Sequence, residues 1–243
     1  MQLRVHSWET FGVHDGPGIR LVVFLQGCNL RCLYCHNPDT QDIHQGQWMS
    51  SDELISIIEK ELPYLKEGGI TLSGGEPTIQ AKAITELFTK AKALNIHTAL
   101  DTNGTIEGPD VENLYALTDL LILDVKHIDP ERHHVITGHS NAPVFRNAAR
   151  REQQAKPMWL RYVLVPGLTD APEHIYAWGR HFESFACIER VEILPYHTLG
   201  VDKYTQLKKP YALQGTPTPT RDSLASTQRI LQPFFKNAPV CIP

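Results

Sequence analysis

Six short apolar segments, each followed by a segment with helical periodicity, constrain the fold of this chain more than any other feature. They are Arg20–Leu25, Ile70–Leu72, His97–Leu100, Leu120–Val125, Trp159–Val165 and Val191–Leu194. These segments are mostly apolar on both faces, as strands of a sheet covered on both sides must be. The alternation predicts a parallel sheet with helices outside it. Six units are too few for the closed eight-fold barrel, so an open partial barrel and a doubly wound sheet remain.

Local signals place several of the helices. Ser50 and Glu53 match a capping box, and the helix that follows carries an apolar stripe of Leu54, Ile58, Leu62 and Leu65. A second helix has one apolar face, formed by Ile84, Leu87, Phe88 and Ala91. We expect further helices near Val144–Gln154 and Asp222–Phe235, and one that is capped by Asp170.

Composition excludes several classes of protein. The 243 residues carry a formal net charge of -4, and no run of Lys and Arg indicates a nucleic-acid partner. The longest apolar run, Leu21–Leu25, is far too short to span a membrane, and the first residues do not resemble a signal peptide. We therefore expect a single domain over residues 1–243, monomeric and cytoplasmic, where thiols stay reduced.

The cysteines point to a metal site rather than to disulfides. There are five, an odd number, and Cys28, Cys32 and Cys35 fall within eight residues as C-x3-C-x2-C directly after the first strand. Iron–sulfur clusters usually take four cysteines, so three leave one iron without a protein thiolate. An open coordination position is what a catalytic metal site needs.

Two alternatives to an open cluster exist. A zinc ion bound by three cysteines would recruit His36, but adjacent residues rarely chelate one ion together, and no second C-x2-C is present. Alternatively, Cys187 or Cys241 would supply a fourth cluster ligand. Both lie far away in the sequence, and isolated cysteines are more often buried packing residues.

The segment Cys28–Asn37 reads C-x2-R-C-x-Y-C-x-N, with Tyr34 just before the last cysteine. It resembles the signature of the radical S-adenosylmethionine enzymes and, among them, of the glycyl-radical-enzyme activases, most closely those of pyruvate formate-lyase. The likeness extends from about His6 to Tyr204. It implies an oxidoreductase with an open partial (β/α)6 barrel and a [4Fe-4S] cluster on Cys28, Cys32 and Cys35.

The resemblance also implies a reaction. S-adenosylmethionine would bind the open iron, and an electron from the reduced cluster would break its sulfonium C–S bond. The resulting 5′-deoxyadenosyl radical would take a hydrogen atom from a backbone glycine of a partner enzyme. A flavodoxin or ferredoxin would supply the electron. The cofactors carry the difficult chemistry, and the protein binds and orients them.

Polar motifs follow the predicted strands. Ser73–Pro77 contains a Gly-Gly turn, where a missing side chain permits close backbone approach. Asp101 and Thr102 end the third strand, and Asp124–Lys126 ends the fourth; a helix cap and an ion pair would also explain them. By resemblance, the Gly-Gly-Glu motif holds the methionyl amino group, Lys126 pairs with the cofactor carboxylate, and Asp124 accepts from its ammonium. The aspartates would also hold a monovalent cation.

Further cofactor contacts come from the same resemblance. Arg161 lies inside an apolar strand, where an arginine needs a partner, so an ion pair with another buried carboxylate is an equal alternative. His197 lies in a P-Y-H-x-L-G segment similar to one whose histidine contacts the cofactor. The complete implied set is Tyr34, Cys35, His36, Gly74, Gly75, Asp101, Thr102, Asp124, Val125, Lys126, Arg161 and His197.

The implied partner is a protein. Residues Asp15–Arg20 read D-G-P-G-x-R, either a tight turn or the activase segment that faces the substrate peptide, with Asp15 contacting the glycine loop. Only fifteen residues, Pro38–Asp52, precede the next helix, and they hold no cysteine. The ferredoxin-like insert of many activases is therefore missing, which favours pyruvate formate-lyase as partner. An activase of another glycyl radical enzyme, a radical enzyme acting on a small molecule, and a zinc-stabilised binding module remain alternatives.

Overall fold

The six apolar segments are all strands in the computed structural model, which describes residues 1–65 and 67–243. Three short or irregular strands that the sequence did not predict accompany them in the described residues. In chain order the strands are β1 (Gln2–Gly12), β2 (Arg20–Leu25), β3 (Gln47–Ser50), β4 (Gly69–Gly74), β5 (His97–Thr102), β6 (Leu120–Asp124), β7 (Met158–Leu164), β8 (Ile188–Pro195) and β9 (Val240–Cys241).

Helices follow most of these strands. They are α1 (Ser51–Glu61), α2 (Ala81–Ala93), α3 (Pro109–Leu117), α4 (Pro130–Thr137), α5 (Ala142–Gln153), α6 (Pro172–Phe182), α7 (Val201–Gln206) and α8 (Arg221–Leu231), with short 3-10 helices at Pro38–Thr40, Leu62–Tyr64, Pro77–Gln80 and Gln232–Phe234. Every helix in the described part of the chain is too short or too polar to cross a lipid bilayer.

The described residues form two compact units. Unit 1 comprises Met1–Asn29 and Thr40–Ile122, and unit 2 comprises Leu30–Asp39 and Leu123–Pro243. Within unit 1 the strand order is β3-β1-β2-β4-β5, and within unit 2 it is β7-β8-β9. That the whole chain is a single domain stays a prediction.

Unit 1 contains a mixed sheet. β2 and β4 run parallel, with Leu25 opposite Gly74, and β4 and β5 run parallel, with Leu72 opposite Leu100. β1 pairs antiparallel with both β2 and β3. Because the carboxyl ends of parallel strands meet at one edge, the segments that leave β2, β4 and β5 lie at the same edge of this sheet.

The predicted capping box of α1 and the predicted apolar face of α2 are confirmed, whereas the apolar stripe of α1 is confirmed only for its first two residues. Ser50 accepts a hydrogen bond from the N–H of Glu53, and the Glu53 carboxylate accepts one from the N–H of Ser50, which completes the capping box of α1. Leu54 and Ile58 are fully buried, but α1 ends at Glu61 and Leu62 belongs to a 3-10 helix. The four residues predicted as the apolar face of α2 are all fully buried.

A fully buried arginine fixes the turn before β2. Arg20 donates to Thr71 Oγ1 (2.6 Å) and to the carbonyl oxygens of Pro17 (3.0 Å) and Ile70 (2.6 Å). Burial lowers the pKa of Arg20 to about 10, so the guanidinium remains charged at neutral pH. Thr71 Oγ1 in turn donates to the carbonyl of Asp15 (2.6 Å), so this residue of β4 holds the turn in place.

Two glycines at the end of β4 make room for protein backbone. A Cβ on Gly74 would lie 2.4 Å from the nitrogen of Leu25, and one on Gly75 would lie 2.1 Å from the carbonyl oxygen of Gly27. The N–H of Glu76 donates to that same carbonyl of Gly27 (2.7 Å). The backbone that approaches these glycines in unit 1 is the end of β2 and the residues that follow it.

The carboxylate of Glu76 joins two of the strand exits. It is fully buried and accepts hydrogen bonds from the N–H (3.0 Å) and hydroxyl (2.5 Å) of Thr78, the hydroxyl of Thr102 (2.7 Å) and the N–H of Asn103 (2.7 Å). Burial raises the pKa of Glu76 above its ordinary value, and these four donors oppose the rise. The side chain therefore ties the loop after β4 to the loop after β5.

Unit 2 contains parallel strands over an aromatic core. β7 pairs parallel with β8, and β8 pairs parallel with the short strand β9. Trp178 of α6 is fully buried, with ring centroids of Phe182 at 5.1 Å and Tyr162 at 5.6 Å. The predicted cap of α6 is wrong: Ala171 occupies the N-cap position, and the Asp170 carboxylate accepts from the N–H of Gly167 (2.9 Å) instead.

Replacing the buried carboxylate tests the tie between the two loops. In Glu76→Gln an amide N–H₂ group would face N–H or hydroxyl donors, and two donors cannot bond to each other. The buried groups left unpaired should lower the free energy of unfolding by about 2–3 kcal/mol. Urea unfolding of the metal-free protein measures the loss. Glu59→Gln, at an exposed position of α1, is the matched control and should unfold like the wild type. Equal stabilities for both variants would contradict this role of Glu76.

Candidate active site

The three predicted cluster cysteines lie on the loop that leaves β2. Cys28 belongs to unit 1, where its N–H donates to the carbonyl of Gln41 (3.2 Å). Cys32 and Cys35 belong to unit 2, and the N–H of Cys35 donates to the carbonyl of Cys32 (3.1 Å). All three are partly exposed, and none forms a disulfide. Three thiols on one loop are a donor set that suits the irons of an iron–sulfur cluster.

Backbone hydrogen bonds fix the middle of the loop in unit 2. The N–H groups of Arg31 and Leu33 donate to the carbonyls of Thr137 and Ile136, each at 3.0 Å. These carbonyls belong to the last turn of α4, where helix carbonyls have no intrahelical partner. Burial raises the pKa of Cys32 to about 11, so its thiol is protonated without a metal. A coordinating metal ion would remove that proton.

The structure does not show a complete metal site. Among residues 1–65 and 67–243, no three His, Cys, Asp or Glu side chains form a group that could hold a metal ion. His36, which the zinc alternative needs, uses Nε2 to donate to the carbonyl of His197 (2.8 Å). Cys187 is buried just before β8, and its N–H donates to Glu152 (2.9 Å). Ligation of a cluster by the three loop cysteines stays a prediction.

Two predicted cofactor residues form a stacked pair in unit 2. The rings of His36 and His197 lie 3.8 Å apart at an angle of 29°. Burial lowers the pKa of both imidazoles, so both are neutral at pH 7. Nδ1 of His197 accepts from the N–H of Leu199 (3.4 Å), which leaves the proton on Nε2. His197 can therefore donate one hydrogen bond from Nε2.

A second cluster in unit 2 contains Asp124, Lys126 and Tyr34. Lys126 Nζ lies 2.6 Å from Asp124 Oδ2 and 5.8 Å from the centroid of the Tyr34 ring. Burial acts to lower the pKa of Lys126, but Asp124, Tyr34 and Cys32 together outweigh burial and hold that pKa well above its ordinary value. Asp124 Oδ1 and the Tyr34 hydroxyl are buried without a hydrogen-bond partner. A buried carboxylate oxygen left unpaired fits a site that receives an ammonium group.

Arg161 has a buried ion-pair partner, as the alternative to a cofactor contact predicts. Its Nε lies 2.9 Å from Glu192 Oε2, and both side chains are buried. Arg190 donates to the other oxygen of the same carboxylate (2.9 Å). The carbonyl of Arg161 also accepts from the N–H of Val125 (3.1 Å), which holds the end of β6 against β7 within unit 2.

The strand exits of unit 1 are linked by polar side chains. Asp101 Oδ2 accepts from Ser73 Oγ (2.9 Å), and Thr102 is bonded to Glu76 as described above. Asn29, next to Cys28, donates to Thr105 Oγ1 (2.7 Å) and accepts from Asn103 Nδ2 (3.1 Å). Neither asparagine is among the predicted site residues, because Asn103 lies in a Thr-Asn-Gly-Thr run that indicates only a turn, and Asn29 is a variable position of the cysteine motif.

Asp15 lies at the other end of β2 from the cysteine loop. The turn that contains it precedes Arg20, whereas Cys28 follows Leu25. Six residues of extended strand separate the two ends by about 20 Å. Within unit 1 the structure therefore does not bring Asp15 and Cys28 together, and a contact between Asp15 and a substrate loop stays a prediction.

Sequence comparisons give close relatives over nearly the whole chain. Residues 22–179 match the family described as the radical SAM superfamily. A pyruvate formate-lyase-activating enzyme of Streptococcus mutans is 42% identical over 238 residues, which cover 93% of this chain and 90% of that protein. One from Staphylococcus epidermidis is 40% identical over 247 residues, with 98% of each chain covered.

Solved structures show the same fold at low sequence identity. Streptococcus suis SuiB bound to the precursor peptide SuiA has a TM-score of 0.72 and 17% identity, over 97% of this chain and 50% of SuiB. A domain of a pyruvate-formate lyase-activating enzyme from Bacteroides vulgatus has a TM-score of 0.60 and 22% identity, over 72% of this chain and 99% of that domain. These likenesses confirm the predicted open α/β fold. The chain belongs to the radical SAM superfamily and, within it, to the family of the pyruvate formate-lyase-activating enzymes.

Proposed function

We propose that this chain activates a glycyl radical enzyme, pyruvate formate-lyase, by reductive cleavage of S-adenosylmethionine and abstraction of a hydrogen atom from a backbone glycine of that partner. The observation that carries the proposal is the loop with Cys28, Cys32 and Cys35, three thiols outside any disulfide at the end of β2. Support also comes from the relatives named pyruvate formate-lyase-activating enzyme, which are about as long as this chain.

The residues assigned to the cofactors fit the groups they would hold. Cys28, Cys32 and Cys35 would hold a [4Fe-4S] cluster, which the family implies together with S-adenosylmethionine. When bound, these cofactors supply the one-electron cleavage of a C–S bond and the carbon radical that takes the hydrogen atom. The protein supplies rigid support: helix carbonyls fix the segment around Cys32, and the Glu76 carboxylate fixes the loops of unit 1.

Polar side chains around Asp124 would bind S-adenosylmethionine. In unit 2, Asp124 Oδ1 would accept from the ammonium group, and Lys126 would donate to the carboxylate with the N–H groups that Asp124 does not use. Nε2 of His197 offers a further donor. The remaining contacts are assigned by resemblance alone to Tyr34, Cys35, His36, Gly74, Gly75, Asp101, Thr102, Val125 and Arg161.

The proposal also includes a monovalent cation, an electron donor and a monomeric state. The carboxylates of Asp101 and Asp124 provide oxygen ligands, which suit a hard monovalent cation beside the cofactor. A flavodoxin or ferredoxin would donate the electron to the cluster. The chain would act as a monomer in the cytoplasm, where the three thiols stay reduced until a cluster is assembled.

Anaerobic reconstitution tests the proposed reaction directly. The protein is loaded with iron and sulfide, reduced, and mixed with S-adenosylmethionine and pyruvate formate-lyase. Electron paramagnetic resonance should then detect a glycine-centred radical on the partner, and mass spectrometry should detect 5′-deoxyadenosine. The partner assignment would be overturned if S-adenosylmethionine were cleaved and a glycine-centred radical formed on another glycyl radical enzyme but not on pyruvate formate-lyase. Protein that took up no iron and sulfide would overturn the proposal as a whole.

Asp124→Asn tests the ammonium contact. Because a hydrogen bond to a charged group contributes about 1.5–3 kcal/mol, the Kd for S-adenosylmethionine should rise at least tenfold while iron content stays unchanged. Equilibrium dialysis of the reconstituted protein measures the Kd. Asp222→Asn, exposed at the start of α8, is the matched control and should bind like the wild type. An unchanged Kd in Asp124→Asn would remove Asp124 from the cofactor site.

Asp15→Asn separates partner recognition from cofactor chemistry. If the Asp15 carboxylate orients the glycine loop, the KM for pyruvate formate-lyase should rise about tenfold, since one charge-assisted hydrogen bond is lost. Cleavage of S-adenosylmethionine in the absence of the partner should not change, because Asp15 lies about 20 Å along β2 from Cys28. A parallel loss of both activities would show that Asp15 acts on the cluster or on the fold instead.

A further inference from the structure

The short helix α7 holds the segment that follows the last loop cysteine. The hydroxyl of Tyr204 donates to the backbone carbonyl of Cys35 (3.0 Å), and Tyr204 is 9% exposed. Before the helix, Gly200 packs so tightly on His36 that a Cβ would lie 2.8 Å from its carbonyl oxygen and 2.9 Å from its Cα. Both contacts lie within unit 2, and both reach the backbone of the cysteine loop.

A lysine of the same helix extends this contact. Lys203 Nζ donates to Asn37 Oδ1 (3.0 Å) and to Asp39 Oδ1 (3.1 Å). The segment from Cys35 to Asp39 has five residues, and four of them are contacted by Gly200, Lys203 or Tyr204. We name these three residues the α7 clamp.

Neighbouring tyrosines hold the ring of Tyr204 independently of its hydroxyl. The rings of Tyr204 and Tyr211 meet edge to face at 4.9 Å. The Tyr211 hydroxyl is bonded to the hydroxyl of Tyr196 (2.8 Å), whose side chain is fully buried. Removing the Tyr204 hydroxyl alone should therefore leave the ring in place and delete only the bond to Cys35.

A bond to the peptide of a ligating cysteine has a direct consequence for a cluster. The backbone at Cys35 sets the direction of its Sγ atom, so a fixed carbonyl fixes a ligand. Groups around the ligands also tune the reduction potential of iron–sulfur clusters through hydrogen bonding and solvent exposure. A donor at the Cys35 peptide favours negative charge nearby, which stabilises the reduced state of the cluster.

We propose that Tyr204 is a positioning residue for Cys35, and that the α7 clamp controls how firmly the chain retains its cluster and at what potential the cluster is reduced. This rests on the proposed cluster on Cys28, Cys32 and Cys35. The residues involved follow β8, more than 160 residues after the loop, so the C-terminal part of the chain stabilises the cysteine motif.

Tyr204→Phe in the reconstituted holoenzyme tests the proposal. Under anaerobic conditions, iron release to a chelator should be about fivefold faster than in the wild type, as expected for the loss of one hydrogen bond. The midpoint potential, followed by electron paramagnetic resonance of the reduced cluster, should become more negative. A purely structural role of Tyr204 would not shift the potential.

Tyr211→Phe is the matched control, because it removes a hydroxyl from the same group of tyrosines without a bond to the loop. It should release iron at the wild-type rate and keep the wild-type potential. Lys203→Met, a second variant of the clamp, should also release iron faster. Wild-type behaviour of Tyr204→Phe, or the same change in Tyr211→Phe, would overturn the proposal while the cluster assignment stands. A wild-type protein that binds no iron would overturn the proposed function and this inference with it.

Discussion

The buried carboxylate of Glu76 accepts hydrogen bonds from the loops that leave β4 and β5. The backbone N–H of the same residue donates to the carbonyl oxygen of Gly27, the residue before Cys28. Because a carboxylate without donors is expensive to bury, these loops have one favourable arrangement around it. Gly74 and Gly75 permit that arrangement, since any side chain there would collide with Leu25 or Gly27. Within unit 1 this one carboxylate therefore joins the loop after β4 to the loop after β5.

The part of the cysteine loop that lies in unit 2, residues 30–39, is supported mainly through its backbone. Carbonyls at the end of α4 accept from Arg31 and Leu33, and Tyr204 donates to the carbonyl of Cys35. The thiols take part in none of these bonds. Backbone bonds of this kind hold the loop in shape before a metal binds, which is the pre-organisation that a catalytic site requires. The nearby pair of Asp124 and Lys126 likewise leaves one buried carboxylate oxygen, Oδ1, for a ligand.

Continuous apolar runs predicted all six central strands, because strands buried on both faces need apolar residues at every position. The other strands of the described residues were missed for the opposite reason. β1 alternates irregularly between exposed and buried residues and contains register shifts, and β9 has only two residues. The capping box of α1 was predictable, since both partners lie within four residues. Asp170 was misplaced because its carboxylate bonds to Gly167 in the preceding turn rather than to the helix.

The sequence alone determined the chemistry available to this protein: three thiols at fixed spacing, the strand–helix alternation, and the motifs that mark the family. These are local properties, set by residue type and by separations of a few positions. Only the tertiary structure decided which side chains serve as support. Glu76 meets Thr102 across 26 residues, Arg161 meets Glu192 across 31, and Tyr204 meets Cys35 across 169. Such pairs form because packing brings distant segments together, and no local pattern in one sequence records which segments meet.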